Sequence, residues 1–459
     1  MRVVHVAGEL AGLAHSGGLG EVLAGLPRAQ AALGANVRVI VPGYRQALNA
    51  LGAAPEAGPL VSMPFGDAAF SRHEGSLGGV PVTLLSEPAW FDRPHLYGPP
   101  GGAYPDNPIR FCAFARAVAA LLASDPPDLV HIHDWHAGLV APLVLEQGPA
   151  RPRVVMTIHN LAYQGAFPEA GFHLTGLPNS LASVDGVLHW GAVNPLKAGI
   201  QHADAVTTVS PSYAREIQED AHGFGLAALL RWRAADLTGI VNGVETEGEP
   251  PSEEARVVRR AALAAELGLD PARGPLFAVV SRLTDQKGLD LFAAAIPAAL
   301  AQGATALVVG TGDASLVDAF SALAAAHPGR FAFVHGFDVA LASRVFAGAD
   351  VVCVPSRFEP CGMTQLHAMR VGALPLVRAT GGLRDTVDDV AEGGVGFVFE
   401  DASVDALRST LERALRFFED PAAVAAARAR ARVRPVDWAT PAARYLALYA
   451  SLLAGRAQG

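Results

Sequence analysis

Residues 355–385, reading PSRFEPCGMTQLHAMRVGALPLVRATGGLRD, constrain this chain more than any other stretch. The apolar run 351–354 before them reads as a central parallel strand, and Pro355 ends it. Residues 356–360 then lie in the loop beyond the strand's C-terminal end, which is where open α/β sheets bind ligands. Pro360 and Gly362 restrict and permit backbone angles respectively, so they fix where the Glu359 carboxylate points. For an isolated Glu ahead of a helix, capping is the ordinary role. Here a second strand, 374–377, follows, then Thr380, Gly381, Gly382 and a helix from near Leu383. Backbone N–H groups at such a start make an anion site, and glycines let a phosphate come close. A carboxylate loop and a phosphate nest some twenty residues apart, each after a strand, are stronger evidence together than either alone.

A chain of 459 residues is too long for one core, and two doubly wound domains with a hinge fit it. With 51% hydrophobic and 17% charged residues it is globular, and a formal net charge of -9 argues against nucleic-acid or anionic-membrane partners. No apolar run reaches membrane-spanning length, and the start MRVVHVAGEL reads as a strand without the basic opening of a signal peptide, so a cytoplasmic location is expected. Cys112, Cys353 and Cys361 are odd in number and fit reduced thiols. Of the 35 basic residues only Lys197 and Lys287 are lysines, which points to places where a compact ammonium is needed.

Taken in order, strand 3–7 leads through Glu9 to the glycine-rich loop 14–21, AHSGGLGE, a second helix start of the anion-binding kind. Strand 37–41 follows, and 52–102 reads as hairpins and surface loops. Strand 129–133 runs into Asp134, Trp135 and His136. His131, His133, Asp134 and His136 are ordinary metal-ligand types, but strand alternation puts His131 and His133 on one face and Asp134 on the other. Strand 154–158 ends at His159, Asn160 and Tyr163. Residues 239–241 read as a strand, and the acidic Gly/Pro-rich 245–254 as the interdomain linker. Strand 276–280 delivers Arg282 and Lys287, which can clamp a diphosphate from two sides. Strands 305–309 and 331–334 come next, and 436–453 reads as an amphipathic helix carrying Trp438, Tyr445 and Tyr449.

The string RFEPCGMTQLHAMRVGALPLVRATGGLRDTV resembles the donor-binding segment of bacterial glycogen and plant starch synthases, and further matches run from Gly17 to about Thr386. These are retaining glycosyltransferases of family 5. The resemblance implies the GT-B architecture, two doubly wound Rossmann-like domains facing across a deep cleft. It assigns 1–244 to the acceptor-glucan side, 245–435 to the nucleotide-sugar donor side, and 436–459 to a helix crossing back to the first domain. The implied reaction moves glucose from ADP-glucose to the non-reducing 4-hydroxyl of an α-1,4-glucan, with UDP-glucose or a smaller acceptor as the alternative. Implied catalytic residues are Glu359, His159, Asp134, Arg282 and Lys287. The donor side adds His15, Gly17, Gly18, Glu21, Phe337, Cys361, Gly362, Thr380, Gly381, Gly382 and Leu383. Glu9, Asp134, Asn160 and Tyr163 fall on the acceptor or sugar side. No metal or cofactor is expected. Two other classes stay open at this point: a non-catalytic glucan-binding relative, and a metal hydrolase built on 131–136.

The chain departs from the family pattern at His15, where the family has lysine, and at Ser16 and Glu21, which replace threonine and aspartate. An unperturbed histidine titrates around ~6.5, whereas lysine stays charged. If His15 approaches the donor diphosphate, the donor KM falls as pH drops from about 8 to 6, and His15→Lys flattens that dependence. Donor kinetics of both proteins across this range check it, and superimposable profiles eliminate the charge switch.

Overall fold

The computed structural model describes residues 1–99, 102–245, 251–336, 338–434 and 436–456. The chain divides into two compact units, Met1–Gly243 with Trp438–Gly459, and Val244–Asp437. Expected linker residues 246–250 and the donor residue Phe337 lie outside the described residues.

The second unit is built on a six-stranded, all-parallel sheet. Its order across the sheet is Phe331–His335, Thr305–Gly310, Leu276–Val280, Val351–Val354, Leu374–Arg378, Phe397–Phe399. Numbered along the chain this is 3-2-1-4-5-6, the doubly wound order, with its switch point between Leu276–Val280 and Val351–Val354. The continuous apolar composition of these strands follows from burial on both faces. Phe277 and Val279 enter one core with Phe292, Ile296 and Leu376, while Leu276, Ala278 and Val280 enter the other with Leu341 and Val345.

In the first unit seven parallel strands take the same form. Leu237–Gly239, Ala205–Thr208, Arg153–Ile158, Leu129–His133, Arg2–Val6, Asn36–Pro42 and Val80–Ser86 lie in that order. The antiparallel hairpin Gly66–Leu77 and Glu56–Met63 extends the edge, so 52–102 is a continuation of the main sheet as well as loops. The switch point falls between Arg2–Val6 and Leu129–His133. The loops carrying Glu9 and Asp134 leave from the C-terminal ends of these two strands.

Three boundaries differ from expectation. The strand expected at 239–241 is Leu237–Gly239, because its parallel partner ends where Thr208 faces Gly239. The helix Glu253–Glu266 begins inside the expected linker, since the Ser252 hydroxyl accepts from the Ala255 N–H and Glu253 and Glu254 sit at the positive end of the helix. The last helix is Ala439–Arg456, so Trp438 precedes it, and this helix lies in the first unit, with Tyr445 and Tyr449 fully buried. Among the described residues no helix is long and apolar enough to cross a membrane. The three cysteines are buried and form no disulfide with one another.

Candidate active site

In the second unit the two loops at the switch point meet. The loop after Leu276–Val280 brings the Lys287 ammonium to 2.6 Å from Glu359 Oε2, on the loop after Val351–Val354. Ser356 donates its hydroxyl to the same oxygen at 2.8 Å. Glu359 is 6% exposed, and a carboxylate so buried needs such donors to offset its lost hydration. Arg282, on the Lys287 loop, is exposed. The Arg357 guanidinium pairs with Asp290 at 2.7 Å, which ties the Glu359 loop to the helix behind Lys287.

The Gly-Gly turn has a different physical basis from the one expected. Gly381 takes φ +45°, and a Cβ there would lie 2.0 Å from the Glu359 carbonyl oxygen; one on Gly382 would lie 2.4 Å from Cys361 Cα. The Gly382 N–H donates to the carbonyls of Glu359 (3.1 Å) and Pro360 (3.2 Å). These glycines therefore clamp the Glu359 loop against the helix Gly381–Thr386, and the Gly382 N–H is already used. Leu383, expected among donor contacts, sends its side chain into the core and its N–H to the Thr380 carbonyl at 3.0 Å. Thr380 precedes the helix, almost fully buried. Cys361 is buried, and its carbonyl accepts from the Gln365 amide; Gly362 supplies φ +73° at the turn.

In the first unit Asp134 opens a short helix directly after Leu129–His133, with φ 54°, a left-handed conformation that Asp tolerates better than most residues. Its Oδ1 accepts from the backbone N–H groups of His159 (2.7 Å) and Asn160 (3.4 Å). Burial nevertheless outweighs these bonds and lifts the Asp134 carboxyl to about 7. Burial also pushes the His159 imidazolium down to about 3, so this ring is neutral. The Asn160 side chain accepts from the Ala162 N–H, and Tyr163 stands about half exposed beside them.

Glu9, expected on the sugar side, is 4% exposed and spends its carboxylate internally. It accepts from the Ser16 N–H (2.7 Å) and hydroxyl (2.7 Å), the Gly17 N–H (3.2 Å) and the Tyr97 hydroxyl (2.7 Å). Glu9 thus shapes the glycine-rich loop, and the Gly17 N–H is directed at Glu9. His15 and Gly18 are exposed and Glu21 is half-buried, at or beside the start of the helix Gly18–Ala32.

The two lysines have separate jobs. Lys197, buried in the first unit, donates to the carbonyls of Val184 (2.5 Å) and Gly186 (2.6 Å), and desolvation lowers it to about 8. It holds a loop, a task that three tetrahedral donors suit. Among the described residues the metal-ligand types of 131–136 do not all come together. His136 packs on Trp135 and Tyr97, with ring centroids 4.0 and 4.7 Å apart. His131 and His133 instead meet His5 from the neighbouring strand. Sequence reasoning gave no functional role to His5, Gln30, Ser356 or Tyr449. For His5 and His131 the signal was available, as two inward positions on strands that pair side by side.

The family described as starch synthase catalytic domain matches residues 2–232, and glycosyl transferases group 1 matches 274–416. Glycogen synthase of Granulibacter bethesdensis is 42% identical, covering 99% of this chain and 100% of its own length. That of Edwardsiella ictaluri is 43% identical, with the same coverage. The catalytic domain of starch synthase IV from Arabidopsis thaliana, solved bound to ADP and acarbose, superposes with a TM-score of 0.90 at 30% identity over 98% of this chain and 99% of that one. With whole-length similarity on this scale, and both halves matched in order, the chain belongs to the starch and glycogen synthase family of glycosyltransferases.

Proposed function

We propose that this protein is a glycogen synthase that lengthens an α-1,4-glucan by moving glucose from ADP-glucose to the 4-hydroxyl at the chain's non-reducing end, keeping the α-configuration. The observation that carries the reading is the Lys287–Glu359 pair at the switch point of a doubly wound unit. A similar starch synthase was solved with ADP and acarbose bound, which supports the choice of nucleotide and of a glucan acceptor.

Each residue has a defined part. Arg282 and Lys287 face the diphosphate and neutralise the charge that grows on it as the bond from sugar C1 to phosphate oxygen breaks. Glu359 orients the donor sugar and favours its oxocarbenium-like state. With Oε2 already accepting from Lys287 and Ser356, it makes a poor nucleophile, which favours substitution on one face over a covalent double displacement. In that step the acceptor oxygen forms its bond to C1 on the face the phosphate leaves, and the leaving phosphate oxygen takes the acceptor's proton. His159 contacts the donor sugar; Asp134, Asn160 and Tyr163 serve the acceptor side. No step calls for a metal. The proposal assigns the enzyme to the cytoplasm, in keeping with three cysteines that form no disulfide with one another.

Incubation with glycogen and either ADP-glucose or UDP-glucose, with and without a chelator, tests this. Glucan growth matched by ADP release, indifferent to chelator, is expected. Growth only with UDP-glucose changes the donor, and loss of growth on chelation removes the metal-free scheme.

A further inference from the structure

Behind His159 an unbroken run of hydrogen bonds crosses the core of the first unit, passes through the last helix at Tyr449, and returns to end on the Met156 carbonyl. His159 Nε2 lies 2.9 Å from His133 Nδ1, and His133 Nε2 lies 3.0 Å from His5 Nδ1. His5 Nε2 lies 2.8 Å from the Gln30 side-chain oxygen, and the Gln30 amide nitrogen lies 3.1 Å from the Tyr449 hydroxyl. That hydroxyl is 2.6 Å from His131 Nδ1. His131 Nε2 reaches Thr157 Oγ1 at 2.5 Å, Thr157 reaches Thr207 Oγ1 at 2.5 Å, and Thr207 reaches the Met156 carbonyl at 3.4 Å.

The far end fixes the direction of every link, because a carbonyl only accepts. Thr207 donates to Met156, so Thr157 donates to Thr207 and His131 donates from Nε2 to Thr157. A neutral imidazole has one N–H, so His131 Nδ1 is bare and takes the Tyr449 proton. Tyr449 in turn accepts from the Gln30 amide, which leaves the Gln30 oxygen facing His5. His5 therefore donates from Nε2, His133 from Nε2 to the bare His5 Nδ1, and His159 from Nε2 to the bare His133 Nδ1. The four rings are neutral: burial pushes His5 down to about 4, His159 to about 3, and His131 and His133 well below the usual histidine range. The remaining nitrogen, His159 Nδ1, has no partner among the described residues.

We propose that Gln30 and Tyr449 are positioning residues for the transfer: through this run they keep the proton of His159 on Nε2 and present its Nδ1 as an acceptor for a hydroxyl of the donor sugar. The proposal rests on His159 meeting that sugar, as argued above. It gives the C-terminal helix a part in the chemistry, since Tyr449 belongs to Ala439–Arg456. The nitrogens of His5, His131 and His133 come within 4.8 Å of one another, the spacing of a possible metal site. A divalent cation there would break at least two links of the run and would add charge to a buried pocket without a carboxylate among its ligands.

Ring nitrogen NMR on the full chain labelled with 15N-histidine reads the tautomer directly, His159 being assigned by its loss in His159→Gln. Wild type is expected to show His159 as a single tautomer protonated on Nε2, unchanged by added zinc. Gln30→Met should give mixed tautomers and cut kcat about tenfold, with the donor KM within about twofold, the pattern of an interaction made in the transition state. An Nδ1-protonated His159 in wild type, a tautomer indifferent to Gln30→Met, or stoichiometric zinc binding that shifts the rings would each overturn the proposal. His159→Ala separates the two layers: full activity in that variant removes His159 from the sugar site, whatever the NMR shows of the run.

Discussion

Glu359→Gln lowers kcat by roughly 10²–10³-fold, the usual cost of removing one electrostatic contact made in the transition state. Glutamine keeps the size of the side chain and can still accept from Ser356, but it no longer holds the Lys287 ammonium by charge. The pair is only partly buried on the lysine side, at 19% exposure, so its loss costs about 1 kcal/mol of stability, or roughly 2–4 °C in Tm. The melt and the rate therefore separate. Lys287→Met loses rate to a similar extent, and the double variant loses less than the product of the two single losses, because the two groups act as a unit. Steady-state kinetics and thermal melts of the three variants check this. A rate for Glu359→Gln within a few-fold of wild type removes Glu359 from the chemistry.

Asp134→Asn is the second large effect, and its sign with pH follows from burial. The folded protein holds this carboxyl at about 7 against an ordinary 3.8, so the folded state favours the proton. Asp134's contribution is complete below the unfolded value near 4 and is lost as pH rises to about 7. Melts of wild type and variant between pH 4 and 8 should therefore diverge, with wild type losing ground to Asn as pH rises. Asparagine tolerates the left-handed backbone at φ 54°, and its oxygen still accepts the His159 N–H, so the fold is kept. Transfer should fall about 10²-fold, since the variant lacks a carboxylate beside the acceptor. A pH-independent difference in melting rules out the raised carboxyl, and undiminished transfer rules out its part in the reaction.

The parallel sheets and the loops at their C-terminal ends were legible because buried strands leave continuous apolar runs, and Pro355 and Asp134 mark where those runs stop. Lys287 stood out through the scarcity of lysine, and its pairing with Glu359 required only that two central strands be neighbours. What stayed hidden depended on contacts between residues far apart in the chain. Glu9 looked like a sugar ligand, yet its four donors come from Ser16, Gly17 and Tyr97. Gly381 and Gly382 looked like a phosphate nest, whereas the backbone of residues 359–361 occupies the space their missing side chains leave. Gln30 carried no local pattern, and Tyr449 showed only its place on an amphipathic helix, because their partners lie on strands that come together only when the sheet forms.

The proposed transfer is tested most directly by the anomeric proton of the bond the enzyme makes. A short α-1,4-glucan incubated with ADP-glucose and followed by proton NMR should gain α-linked glucose at its non-reducing end, from the first turnovers and in step with released ADP. A β-linked product, or free glucose appearing without chain growth, would contradict it.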